Sequence, residues 1–248
     1  MLGTLKKHKN TRWYACGKHP WAKDFFTVGD SFPLAEAFSR WLNNGVSELL
    51  NRGHSLNNPV SWRFWVKAPV QDHLVCGIVK NSFDGMRRAF PLLIIGEGLV
   101  RDWQKHWELL PRVFENAWLD METFAVQNYF DKSQFITALG RLKYPQCLWN
   151  EISDCRISSV HNVLTAGYSE DFSQNGCSLI NLSSVPEQHL TEAVSKIHRQ
   201  YKQNMPSLPA AVFMGGDLDK RFLFLFADPL SVENFVQLWN PLSGCRKA

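Results

Sequence analysis

The 248-residue sequence lacks the short motifs that announce common enzymes. It has no GxSxG, HExxH, Walker A or GxGxxG element, which excludes the usual hydrolase, metalloprotease and nucleotide-binding signatures. The eight histidines are scattered, with no two within four residues of each other and no cysteine or carboxylate at metal-ligand spacing, so no metal site is expected. Asp217 and Asp219 lack the rest of a calcium loop and read as a charged hairpin tip. The six cysteines form no CxxC pair, and Cys16, Cys76 and Cys177 sit in apolar, strand-like segments, as reduced buried thiols do. Long apolar runs are missing too, so neither a signal peptide nor a membrane-spanning helix is expected. Charge is sparse: 20% of residues are charged, and the net charge is +4. Much of that excess lies in Lys6, Lys7, Lys9 and Arg12, ahead of the first acidic residue, Asp24, and reads as a mobile, solubilising terminus.

Aromatic and aliphatic residues are plentiful. Hydrophobic residues make up 45% of the chain and ten are tryptophans, enough for a sizeable core. The organising stretch is Gly77–Ile95. Two apolar runs, Val75–Val79 and Phe90–Ile95, have no helical period and predict central strands buried on both faces. The link between them holds Lys80, Asn81, Ser82, Asp84, Gly85, Arg87 and Arg88, more charge than a turn needs. Its two readings are a solvated strand connection and a rigid polar loop presented to a partner.

Before it, Trp13–Cys16 predicts a first strand that ends at Gly17. Lys18, His19, Lys23 and Asp24 then alternate with Trp21, Phe25 and Phe26 in a loop that is either a pinned flap or a recognition site. Ser31 and Pro33 open a helix with an apolar stripe of Leu34, Phe38, Trp41 and Leu42, and Asn43-Asn44-Gly45 reads as its stop or kink. Ser61–Lys67 alternates with a period of two, a strand with one buried face. Trp103, Trp107, Leu110, Phe114, Trp118 and Met121 form a helical stripe that Pro111 kinks or divides. Lys132–Leu142 adds a short helix, and residues 144–175 carry little pattern. Cys177–Leu182 is strand-like, Ser184–Glu187 has capping-box spacing, and GGDLDKR joins two strands in a hairpin whose turn Gly215 and Gly216 set. Ser231 caps a last helix bearing Phe235, Val236 and Trp239. Short strand links and amphipathic helices predict an α/β (α+β) fold, a layered αβα sandwich around a mostly antiparallel sheet.

The motif Gly17-Lys18-x-Pro20 followed by Asp24-Phe25 resembles the opening of the TagF (ImpM) family, accessory proteins of bacterial type VI secretion. The resemblance continues through Trp41-Leu42 and Trp62-Arg63-Phe64 to Ser82-x-Asp84-x-x-x-Arg88-x-Phe90-Pro91-Leu92. Lys23 and Arg87 stand where the family pattern has glycine. The resemblance implies a TagF N-terminal-like α/β module over residues 10–130. Residues 131–248 form a second α/β half on the same core, or the whole is a single domain. It also implies a cytoplasmic, non-enzymatic regulator that restrains assembly of the secretion system after translation, with the forkhead-associated scaffold protein as partner. No cofactor, nucleic acid or membrane insertion is expected. Candidate partner-binding residues are Lys18, Asp24, Ser82, Asp84 and Arg88. Two alternatives stand beside this reading: a small enzyme using Asp24 or Asp84 as acid or base with Lys18 or Arg88 steadying an anion, and a structural subunit of the secretion machine.

Overall fold

Runs rich in β-branched and aromatic residues form nine strands of one sheet in the computed structural model, which describes residues 11–146, 149, 152, 171–173, 176–204 and 207–240. The strands are β1 (Thr11–Gly17), β2 (Phe26–Gly29), β3 (Ser61–Lys67), β4 (His73–Lys80), β5 (Leu92–Leu99), β6 (Asp171–Ser173), β7 (Cys177–Asn181), β8 (Ala211–Gly216) and β9 (Arg221–Phe226). Their order is β2-β1-β5-β4-β3-β8-β9-β7-β6, and every pairing is antiparallel. Five α-helices among the described residues cover the sheet: α1 (Pro33–Asn51), α2 (Leu110–Val126), α3 (Lys132–Leu139), α4 (Leu190–Asn204) and α5 (Val232–Trp239). The basic run at Lys6, Lys7 and Lys9 and most of the weakly patterned stretch 144–175 lie outside the described residues.

The side chains divide into two cores. On one face, Trp41, Phe38 and Leu42 of α1 and Phe235 of α5 pack on Phe64, Val75 and Phe213. On the other, Phe114 and Trp118 of α2, Phe135 of α3 and Val194 of α4 pack on Trp65, Cys76 and Ile94. The strands predicted as central are so: β4 and β5 are interior and buried on both faces. The pairing of β3 with β8 joins the two halves of the chain in the same sheet.

Several local expectations are corrected. Strand β3 is covered on both faces, because Trp65 is buried against Trp103 and Trp107 while Arg63 forks onto the Glu122 carboxylate of α2 at 2.6 and 2.7 Å. Gly45 does not stop α1. The helix runs through it to Asn51, and the missing side chain makes room for the Phe235 ring. Pro111 lies in the first turn of α2, preceded by two 3-10 turns at Trp103–Lys105 and Trp107–Leu109, so the apolar stripe spans three elements. Ser184 makes no capping box: Pro186 caps the short 3-10 turn there, and Glu187 is drawn into an ion pair with Arg221. A reciprocal box does form at Ser231 and Asn234, which start α5. Gly215 and Gly216 belong to β8, and the turn that follows is closed by the Asp217 carboxylate, which accepts from the amides of Asp219 at 2.9 Å and Lys220 at 2.7 Å.

Candidate functional site

The site grows from the meeting of β1 and β5. Gly17 is the last residue of β1 and pairs with Leu92, the first residue of β5. Its φ of 117° and the Pro91 carbonyl, 2.0 Å from where a Cβ would stand, restrict the position to glycine. The chain leaving β1 therefore emerges beside the chain entering β5, and the two polar loops share one end of the sheet. Asn81 anchors the second loop at its base. Its amide nitrogen donates to the Leu56 carbonyl at 2.7 Å and its amide oxygen accepts from Trp239 Nε1 at 2.7 Å.

Beyond Asn81 the loop is a small hairpin of its own. Phe83 bridges Ala89, the Phe90 amide donates to the half-buried Ser82 at its carbonyl (3.0 Å), and the Arg87 amide donates to the Asp84 carbonyl (2.9 Å). This turns the Asp84 side chain inward, where it is fully buried. Its Oδ1 accepts from the amides of Met86 (2.9 Å) and Arg88 (3.0 Å). Its Oδ2 receives Arg88 Nε at 2.8 Å and the Lys18 ammonium at 3.1 Å. Burial raises the pKa of this carboxyl, but the Arg88 amide, the Lys18 ammonium, the Met86 amide and the Arg88 guanidinium outweigh it and bring the value down to about 2.

The first loop closes over the second. Arg88 Nη2 donates to the Lys23 carbonyl at 2.8 Å and lies 3.4 Å from Asp24 Oδ2, and the Gly85 amide donates to the Ala22 carbonyl at 2.8 Å. Lys18 is buried, its ammonium 4.6 Å above the Phe25 ring, and Phe25 meets Phe90 edge-on at 4.6 Å. His19 is buried between Tyr129 and Phe135, its pKa pulled down to about 4 chiefly by burial, so at neutral pH it is an uncharged packing residue.

All five predicted residues thus gather at one end of the sheet, in unequal roles. Lys18 and Asp84 are the buried lock, Arg88 is half exposed, Asp24 is exposed at the rim, and Ser82 contributes backbone. Asp84 and Arg88 pair with each other, but not at the surface, because Asp84 is withdrawn from solvent. Asp24 and Asp84 do not touch as an acid–base couple; both reach Arg88 instead. A carboxylate with its acceptor sites filled and a pKa near 2 is a poor general base at neutral pH. An apolar cleft of about 440 Å³, lined by Phe38, Trp41, Ala68, Pro69 and Leu230, opens at the opposite end of the sheet, beyond the C-terminal end of β3. Among the described residues no group of three or more His, Cys, Asp or Glu side chains could hold a metal ion.

Sequence reasoning missed three features. Phe25, Phe83 and Met86 are exposed by 55%, 36% and 67% around the lock, although apolar residues in such loops ordinarily turn inward. Arg87 holds a left-handed backbone, φ 63°, which explains the glycine of the family pattern at that position. The carbonyls of Ala22 and Lys23 tie the loops together, and backbone acceptors leave no trace in sequence.

These features define an antiparallel α+β sandwich that holds two short loops in one geometry at a sheet end. A family model described as the TagF N-terminal domain, type VI secretion system-associated, matches residues 15–142, and the chain belongs to this family. The fold is similar to the crystal structure of PA0076 from Pseudomonas aeruginosa PAO1, with a TM-score of 0.52 at 16% identity, over 92% of this chain and 93% of that one. No curated protein matches the sequence.

Proposed function

We propose that this protein is a cytoplasmic accessory factor of a type VI secretion system that regulates assembly after translation, by binding protein rather than by catalysis. Membership of the TagF family supports the secretion-system role. The observation that carries the binding mode is the division of labour at the loop pair. Asp84 and Lys18 are spent internally on rigidity, while Arg88 and three apolar side chains are left at the surface. A preordered loop loses little conformational entropy on docking, and exposed arginine with aromatic neighbours is the composition of interface hot spots. The forkhead-associated scaffold protein of the same secretion system is the proposed partner.

The test is capture of the purified scaffold by wild-type protein and by Arg88→Ala. Removing Arg88 takes one donor from the buried Asp84 but leaves it Lys18 and two backbone amides, so the variant should still fold, with stability lowered by about 1–3 kcal/mol. The same change should weaken capture by about 2 kcal/mol or more. A folded variant with undiminished capture would dismiss the loop pair as the docking site. A structural-subunit role would show instead as stable stoichiometric co-purification.

A further inference from the structure

The exposed part of the loop pair has a composition that selects its partner. Among the described residues, three other than glycine adopt positive φ: Asp72, Asp102 and Arg87. Aspartate tolerates the left-handed region, but an arginine gains nothing from it conformationally. What Arg87 adds is a cation, held 4.8 Å above the exposed Phe83 ring. Beside it, Arg88 commits Nε to Asp84 and Nη2 to Lys23 and Asp24, which leaves the Nη1 donors uncommitted on a side chain 48% exposed. Lys23 is exposed on the facing loop. Among the carboxylates of these two loops Asp84 is buried, so Asp24 alone opposes three surface cations. Its 3.4 Å contact with Arg88 joins two exposed groups and is readily exchanged for a better acceptor. On the same two loops Phe25 and Met86 are both more than half exposed. A surface that combines guanidinium groups with bare apolar side chains complements a segment that combines carboxylates with apolar side chains.

Resting on the protein-docking reading above, we propose that the loop pair binds an acidic segment of its partner. Carboxylates of that segment take Arg87 and the free edge of Arg88 in place of Asp24, and one large apolar side chain lies across Phe25 and Met86. A nucleic acid would instead favour cations strung along a groove, spaced to follow a phosphate backbone.

The experiment uses the full chain and a short fluorescein-labelled peptide of glutamates around one phenylalanine and one leucine. The control peptide has lysines for the glutamates. Oligo-dT and phosphatidylglycerol vesicles are the competing anions. The acidic peptide should bind, shift the amide resonances of Phe25 and of Phe83–Arg88, and weaken as salt rises from about 50 to 200 mM. Arg87→Gly, which keeps the backbone turn, and Arg88→Ala should each weaken it by about tenfold or more. Asp24→Asn, which removes the internal competitor, should tighten it. Failure of the acidic peptide to bind, equal binding of the lysine control, indifference to both arginine substitutions, or binding of oligo-dT or vesicles in its place would each overturn the proposal. The scaffold capture separates this from the reading it rests on. Capture lost in Arg88→Ala without peptide binding leaves docking standing and removes the acidic chemistry. Peptide binding without scaffold capture keeps the chemistry and removes only that partner.

Discussion

Gly45 of α1 lies against the Phe235 ring of α5, with the position of an added Cβ only 2.2 Å from the ring's Cγ. The two helices close over one face of the sheet at this contact, extended by the stacked rings of Phe235 and Trp239 and by the indole of Trp41, which donates to the Ser231 carbonyl at 2.7 Å. Elsewhere in a helix, Gly→Ala gains roughly 0.5–1 kcal/mol. Here the sign should reverse: Gly45→Ala forces the helices apart and should cost about 1–3 kcal/mol by overpacking. Thermal melting decides it, since a raised melting temperature would mean that the helices separate freely.

Trp62 is fully buried, edge-on to Phe224 at 5.5 Å, in the strand that joins the two halves of the sheet. Trp62→Ala should cost about 3–5 kcal/mol through lost burial and a residual cavity. Urea denaturation gives the value, and an unchanged midpoint would show that the cavity closes without penalty.

The Asp84 lock should give an acid limb to stability. Its folded pKa, about 2, lies below the 3.8 of an ordinary aspartate, so the unfolded chain binds the proton more readily between these values. The stabilisation is therefore fully present above about pH 4 and is lost as pH falls toward 2. Asp84→Asn should be destabilised at pH 7, and the gap to wild type should narrow on acidification. A gap that stays constant between pH 5 and about 2 would mean that the carboxylate charge is not what holds the loop.

His198 should act over a higher range. The side chain is fully buried between Trp65 and Trp107, and burial lowers its pKa to about 3 from 6.5. For a base with a depressed folded pKa, stability is full above 6.5 and falls as pH drops toward 3, because only the unfolded chain takes up the proton. His19, shifted the same way, contributes to the same limb. Replacing His198 with methionine should flatten the unfolding free energy between pH 6.5 and 4, as measured by denaturant titration at each pH. An unaltered slope would place the titration elsewhere.

Local patterns made much of this molecule legible. The apolar runs at Val75–Val79 and Phe90–Ile95 had to hold strands, because no helical stripe can be drawn through them and both faces are apolar, although the second strand starts only at Leu92. Ser231 had to be a cap, and short links between β3, β4 and β5 had to make antiparallel neighbours. The loop motifs from Lys18 to Asp24 and from Ser82 to Arg88 stood out because their charge exceeds what turns require.

Tertiary structure alone decided the rest, through contacts between residues far apart in the chain. Gly45 reads as a helix stop until a ring from α5, nearly two hundred residues on, is laid against it. Trp65 and Arg63 read as an exposed face until α2 and α4 cover them. At the loop pair, composition named Asp84 and Arg88 but left their depths open. A carboxylate can be withdrawn from water only where enough donors converge to replace its hydration, and Lys18 and the Arg88 side chain reach Asp84 only because β1 and β5 are hydrogen-bonded side by side.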